Sequence, residues 1–108
     1  MDVLTQDTTT TTNPYKDPSI KKAAMVLRAL NHKLRQQILQ TIGERGSITV
    51  TELYVKLRLE QSVASQHLAI LRKQNMVTTK RDGKLIYYSV NNERVLAVIS
   101  LAQMLIEI

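Results

Sequence analysis

Cysteine is absent from this chain of 108 residues, and so are tryptophan and phenylalanine. Without a thiol the chain can form no disulfide, no cysteine-ligated zinc site, no thiol nucleophile and no thiol redox sensor. Aromatic residues make up 4% of the sequence and all of them are tyrosine, so a core must be built from leucine, isoleucine, valine, alanine and methionine. The length fits one compact domain and is too short for two.

Long apolar runs and catalytic motifs are missing as well. No apolar run reaches the roughly 18 residues of a membrane span, and the first residues show no apolar signal-peptide core. We therefore expect a cytoplasmic protein that does not enter a membrane. The sequence has no Gly-rich phosphate loop, no HExxH motif and no spaced carboxylate pair, so we expect neither an enzyme nor a cofactor.

Positive charge, in contrast, is abundant. The formal net charge is +6. Residues 1–20 contain Asp2, Asp7 and Asp17 against Lys16 alone, so the excess of positive charge lies in the remainder of the chain. A basic folded domain most often binds nucleic acid and less often an anionic membrane surface.

The first 16 residues differ in composition from the rest. They contain the threonine run 8–12, followed by Asn13-Pro14, which is typical of a disordered tail. A folded domain is expected over 17–108, because Asp17 can cap a helix and the next residue, a proline, fits its first position.

Helical spacing of apolar residues and one turn signal predict the remaining elements. Asn31 and Thr51 are expected to cap the second and third helices, and Asp82-Gly83 predicts a hairpin with a type I′ turn. The predicted helices cover 18–30, 32–43, a short segment after Thr51, 61–75 and 92–107, with a short strand at Ile48 and the hairpin over 76–90. The order α-α-β-α-α-β-β-α predicts a mainly α fold with a β-hairpin wing, a winged helix-turn-helix.

The fourth predicted helix has two different faces. Ala64, Leu68 and Leu71 are spaced to face the core. The opposite face carries amide and hydroxyl groups, the donors and acceptors that read base edges when a helix lies in the major groove. The candidate DNA contacts on this helix are Gln61, Ser62, Ser65, Gln66, His67 and Arg72. The alternative is an ordinary amphipathic surface helix.

The hairpin tip carries three cations, Lys80, Arg81 and Lys84. Cations grouped at one turn repel one another, so we expect them to contact phosphates or to enter a minor groove. A merely solvated turn is the alternative. Tyr87 and Tyr88 point to opposite faces of the strand; we expect Tyr88 to pack on the core and Tyr87 to approach a phosphate.

The last predicted helix is apolar almost all round between residues 95 and 106. A helix at the edge of so small a domain can bury only one face in its own core. We therefore predict a homodimer through the first and last helices, with full burial inside one chain as the alternative. The candidate interface residues are Ile20, Ala24, Leu27, Val95, Val98, Ile99, Ala102, Leu105 and Ile106.

Four segments of the chain resemble the ArsR/SmtB family of bacterial winged-helix repressors. They are LNHKLRQQIL at 30–39, ITVTELYVKL at 48–57, QSVASQHLAILRKQNMV at 61–77 and RDGKLIYYSV at 81–90. The resemblance implies a dimer that binds an inverted-repeat operator in double-stranded DNA and blocks transcription until an effector releases it. It also implies DNA contacts at Gln61, Ser62, Ser65 and Gln66, with the three wing cations at the wing tip.

The chain departs from that family where many of its members sense metals. Tyr54 and Lys56 stand where a Cys-x-Cys pair is common, and no histidine follows Asn92. An ammonium repels a metal cation, so no metal site is expected and the effector stays unidentified. Two alternatives remain open: a winged-helix module that binds an acidic protein partner, and a sensor of an unidentified metal or small molecule.

Overall fold

The computed structural model describes Tyr15 and residues 18–106. Of the predicted tail over 1–16 it describes Tyr15 alone, and the expected cap at Asp17 lies outside the described residues. The elements are α1 (Pro18–Leu30), α2 (Lys33–Arg45), β1 (Ile48–Thr49), α3 (Val50–Leu57), α4 (Gln61–Lys73), β2 (Val77–Asp82), β3 (Leu85–Val90) and α5 (Asn92–Ile106). The predicted order of elements and the winged helix-turn-helix fold are confirmed.

The cap of α2 is His32, not the predicted Asn31. The His32 Nδ1 accepts a hydrogen bond from the Leu34 N–H at 3.1 Å. The Asn31 N–H instead donates to the Leu27 carbonyl at 2.9 Å and so continues the hydrogen bonds of α1. Asn31 therefore belongs to the end of the first helix, and the second begins one residue later.

The cap of α3 is Thr49, not the predicted Thr51. The Thr49 hydroxyl accepts from the Glu52 N–H at 3.2 Å, and the Glu52 carboxylate accepts from the Thr49 N–H at 3.0 Å. This reciprocal pair is a capping box, which requires a Glu or Gln three residues after the cap. Thr51 lies inside the helix and is followed at that spacing by Tyr54, which cannot complete such a pair.

Left-handed backbone conformations end several helices. Gly46 follows α2 with φ +86° and donates its N–H to the Ile42 carbonyl at 2.8 Å. Arg58 ends α3 with φ +57°. Asn75, with φ +60°, follows α4, which ends at Lys73, two residues earlier than predicted. The segment between α3 and α4 is thus the short turn of the helix-turn-helix.

The three strands form one antiparallel sheet in the order β1-β3-β2. Asp82 pairs with Leu85, so the hairpin loop is Gly83-Lys84. Gly83 has φ +66° whereas Lys84 does not have a positive φ. A positive φ at the first loop residue alone is the pattern of a type II′ turn, which corrects the predicted type I′.

The core lies between the helices α2, α3 and α4 and the sheet. As predicted, Ala64, Leu68 and Leu71 of α4 are buried, and Tyr88 packs against the core. The largest fully buried side chains are Ile38, Ile42, Ile48, Leu53, Leu68, Leu71 and Met76. Because the core fixes the inner face of α4, the opposite face of this helix is held outward.

Helix α5 leaves most of its apolar surface uncovered. None of its described side chains is fully buried. Val95 and Val98, two of the predicted interface residues, are half-buried and pack against the core of their own chain. Leu96, Leu101, Met104, Leu105 and Ile106 are exposed. Among the described residues, no helix combines the length and apolar character needed to cross a bilayer.

Candidate nucleic-acid interface

The exposed face of α4 brings together four of the predicted contact residues. Gln61, Ser62, Ser65 and Gln66 are all exposed, on the side of the helix away from the core. The side chain of Glu60, which precedes them, makes no capping hydrogen bond. This face therefore presents amide and hydroxyl groups, each able to donate and to accept a hydrogen bond at a base edge.

His67 does not share this face. Its ring is half-buried, with Nδ1 3.2 Å from the Arg35 Nη1 and its centroid 4.7 Å from that of His32. Since a guanidinium can only donate, the His67 Nδ1 accepts and the ring proton sits on Nε2. Burial first, and then the proximity of His32 and Arg35, lowers the pKa of His67, which favours the neutral ring.

Arg35 is the buried centre of this contact. Its Nε donates to the Ala29 carbonyl at 2.7 Å and its Nη2 to the Arg28 carbonyl at 2.9 Å. One guanidinium on α2 therefore holds the end of α1 and the ring of His67 on α4. No local sequence pattern marks Arg35, because its partners lie six, seven and 32 positions away in the chain.

Arg72 lies at the exposed C-terminal end of α4. It lines an open depression of about 440 Å³ between α4 and β3, together with Ser65, Lys73 and Tyr88. Two cations and two hydroxyls around one concavity form a surface on which a phosphate can be bound by charge and by hydrogen bonds.

The wing cations lie together at the hairpin tip. Lys80, Arg81 and Lys84 are exposed and make no ion pair with any residue that the structure describes. The Arg81 Nε donates to the Gly83 carbonyl at 3.2 Å, which holds this guanidinium over the turn. Tyr87, paired with Lys80 in the sheet, lines a second depression of about 430 Å³ together with Lys80, Arg81, Asp82 and Ser47.

The end of α4 is tied to the start of α5 by contacts that the sequence did not reveal. The Arg94 Nε donates to the Gln74 carbonyl at 2.6 Å, and the Asn91 Nδ2 donates to the Asn75 carbonyl at 3.0 Å. The Asn91 Oδ1 also accepts from the Arg94 N–H at 3.3 Å, as a helix cap does. These hydrogen bonds therefore fix the end of α4, the helix that carries the polar face, to the start of α5, the helix that carries the apolar surface.

In the part of the chain that the structure describes, no three His, Cys, Asp or Glu side chains lie close enough to hold a metal ion. Tyr54 is half-buried and Lys56 is exposed on α3. A neutral phenol and an ammonium are poor ligands beside the thiolates and imidazoles that transition metals prefer.

Comparisons with known proteins agree with this geometry. A family model described as "Bacterial regulatory protein, arsR family" matches residues 32–79. The transcriptional activator HlyU of Vibrio cholerae is 36% identical over 80 residues, which are 74% of this chain and 73% of that protein. The transcriptional repressor PagR of Bacillus anthracis is 34% identical over 83 residues, 77% of this chain and 83% of that protein.

A solved structure shows the same fold. NolR from Sinorhizobium fredii aligns with a TM-score of 0.71 at 34% identity, covering 87% of this chain and 93% of that one. The sequence match and the structural match thus extend over most of the described domain.

Proposed function

The chain belongs to the ArsR family of bacterial regulatory proteins and is a DNA-binding transcriptional regulator; from this premise we propose that it is a homodimeric repressor that binds an inverted-repeat operator. The observation that carries the proposal is the polar, exposed face of α4, followed directly in the chain by a wing whose cations have no anionic partner among the described residues. Both features are suited to duplex DNA.

We assign the two surfaces to different parts of the DNA. The exposed amides and hydroxyls of α4 read base edges in the major groove. The cations contact phosphates, and those of the wing reach the backbone or the adjacent minor groove. The proposed contacts are Gln61, Ser62, Ser65 and Gln66 for bases and nearby phosphates, and Arg72, Lys80, Arg81 and Lys84 for the backbone. His67 keeps only its Nε2–H for a direct contact, so we give it a supporting role.

A second copy of the chain is proposed to cover the exposed apolar side chains of α5 and α1. Leu27 on α1 is 56% exposed and Leu105 on α5 is 72% exposed. Large exposed apolar side chains on two helices suit an interaction site, and a two-fold dimer buries the same residues of both copies. It also presents two α4 helices, which suits half-sites about one helical turn, or ~34 Å, apart.

The other expectations of the sequence analysis remain proposals. The regulator acts in the cytoplasm, where bacterial DNA lies, without entering a membrane. A protein that works by occupying DNA needs no catalytic centre or cofactor. The chain lacks suitable ligands at the positions where relatives bind metals, so we propose that the effector is not a metal held at those positions.

Selection of bound duplexes from a random pool tests the proposal. We expect an inverted repeat whose half-sites are one helical turn apart. Truncation of Arg81 to alanine should weaken binding to all sequences alike and reduce the dependence of affinity on salt. Truncation of Gln61 should relax the preference at one base position by about 1–3 kcal/mol.

Lys22→Ala is the matched control, because it removes an exposed cation of α1 that lies outside the α4 and wing surfaces. Its affinity and salt dependence should match those of the parent protein. In transcription from a promoter that contains the selected site, added protein should lower the yield of RNA. A protein that enriches no sequence, or whose affinity does not change with salt, contradicts the proposal.

A further inference from the structure

Both histidines of the chain lie at one junction of three helices. His32 caps α2 through its Nδ1, and its ring lies beside that of His67 on α4. Between α4 and the end of α1 lies the buried guanidinium of Arg35, which is only 6% exposed. The junction therefore supports α4 from the side opposite to its DNA-reading face.

The Arg35 guanidinium is the fixed partner in this junction. Its two bonds to carbonyl oxygens of α1 satisfy Nε and Nη2 and orient Nη1 toward the His67 Nδ1 at 3.2 Å. A guanidinium carries N–H donors only and has no lone pair that could accept a hydrogen bond. Only a neutral imidazole offers the lone pair that this Nη1 needs.

We propose that the contact between Arg35 and His67 is a pH-sensitive support of α4: the neutral ring holds α4 in the position in which it binds DNA, and protonation of the ring in mild acid breaks the contact and weakens DNA binding. This inference rests on the proposed DNA-binding function. Arg35 acts in it as a positioning residue, since it reaches DNA only through α4.

The charges around the ring set the direction of the effect. Arg35 faces it from α2 and His32 faces it from the cap of that helix, while α1 contributes the carbonyls that Arg35 holds. Protonated His67 would place an N–H donor and a positive charge against the Arg35 donor. The carbonyl bonds anchor Arg35 in the interior, so the ring, and with it the second turn of α4, is the part that moves.

The pKa shift of His67 agrees with this direction. Burial, with the nearby His32 and Arg35, lowers this pKa below the ordinary 6.5. A group whose pKa is lower in the folded state contributes its full stability above the unfolded-state pKa and loses it as the pH falls through the folded-state pKa. The contact is therefore intact at neutral pH and fails only in acid below about pH 6.5.

A duplex is first selected from a random pool by the wild-type chain at pH 7.5. The affinities of the wild-type chain and of two variants for this duplex are then measured at pH 7.5 and at pH 5.5. The wild-type chain should bind more weakly at pH 5.5, by up to tenfold per pH unit below the folded-state pKa of His67 for each α4 that must release a proton to bind. In His67→Gln the ratio of the two affinities should be close to one, because the amide oxygen accepts from Arg35 at either pH.

His32→Asn is the matched control. Asparagine caps a helix well and does not titrate in this range, so this variant should keep most of the acid-induced loss. Parallel losses in the wild-type chain and in His67→Gln would overturn the inference. So would a wild-type affinity that is constant or rises toward pH 5.5. If no duplex is selected at pH 7.5, it is the proposed DNA-binding function that has failed.

A second measurement needs no variant. The two histidines give two imidazole Cε1–H signals in an NMR spectrum, and the backbone amides of Ala64 and Leu68 report on α4. We expect these amide shifts to follow the titration curve of the His67 ring. Amides of α4 that stay unchanged while the ring titrates would refute the proposed movement.

Discussion

At the scale of single residues, Glu52 shows how one side chain couples helix formation to pH. Its carboxylate accepts from the Thr49 N–H and hydroxyl at 3.0 and 3.2 Å, and Arg45 lies 3.4 Å away. The Thr49 N–H is the largest influence, and with the hydroxyl and Arg45 it holds the pKa of Glu52 below the ordinary 4.5. The charged form is thus the one that the fold favours.

The predicted consequence is a loss of stability in acid that depends on this residue. Because the folded-state pKa of Glu52 is depressed, its contribution is present above about pH 4.5 and disappears as the pH falls through the folded-state value. Glu52→Gln keeps a side chain that can complete a capping box but cannot ionise. The melting temperatures of the parent and the variant should therefore differ at pH 6 and converge toward pH 3. A constant difference over this range would contradict the assignment.

The contact of Arg35 with His67 belongs to the same scale and shows a limit of sequence-based prediction. The position of His67 within the polar segment of α4 suggested a direct contact with DNA. The Nδ1 of the ring contacts Arg35, which comes from another helix and is 32 positions away, so only Nε2–H is left for DNA. Helical spacing orients a residue relative to its own helix only, and it does not reveal which side chain a neighbouring helix supplies.

At the scale of elements, a glycine inside α2 and the glycine that follows it should respond to the same substitution in opposite directions. Gly43 lies inside the helix, where alanine is favoured by about 0.5–1 kcal/mol. Gly46 follows the helix with φ +86° and ψ −55°, a sparsely populated conformation that costs an L-residue about 1–3 kcal/mol. A Cβ added at either glycine meets no atom within 4 Å, so sterics with other parts of the protein do not interfere.

We therefore expect Gly43→Ala to raise and Gly46→Ala to lower the free energy of unfolding measured with urea. Each variant is the control for the other, because the change in composition is identical. Two shifts of the same sign would show that α2 does not end where the structure places its end.

Elements were easier to predict from the sequence than their ends. Apolar spacing over 18–30 and 61–75 located α1 and α4 because the core imposes a period of 3.6 residues on a buried face. Caps depend on which of several neighbouring polar residues completes its bonds. Asn31 and Thr51 are both good caps by type, yet His32 and Thr49 take these positions because their partners are correctly placed.

The polar face of α4 and the cations of the wing were predictable for a related reason. Both features are local: one follows from the spacing along a helix, the other from residues at one turn. The link of Arg94 and Asn91 to the end of α4 joins segments 16 to 20 positions apart. Such contacts arise only when the elements pack, and no pattern within one segment encodes them.

At the scale of the whole molecule, the protein exposes two surfaces of opposite character. The outer faces of α4 and the wing are polar and cationic, whereas α5 exposes a row of large apolar side chains. Because Arg94 and Asn91 join α5 to the end of α4, a dimer formed through α5 would fix the distance between two DNA-reading helices. The way in which the two chains associate would then determine which spacing of half-sites the protein can bind.

A charge placed in that apolar surface should separate these functions. Leu105 on α5, one of the predicted interface residues, is 72% exposed, so Leu105→Glu should fold as well as the parent chain. In a dimer it would bury an unpaired carboxylate, which is strongly unfavourable. Sedimentation at tens of micromolar protein should show a dimer for the parent and a monomer for the variant. Affinity for an inverted repeat should fall about a hundredfold or more, because the second half-site no longer binds intramolecularly.

Val55→Glu is the control for this prediction, since Val55 is 64% exposed but lies on α3, outside the proposed dimer surface. It should sediment like the parent chain. If both variants remain dimeric, the dimer must form through another surface. The spacing of the two α4 helices would then not be set by α5, and the expected distance of one helical turn between half-sites would lose its physical basis.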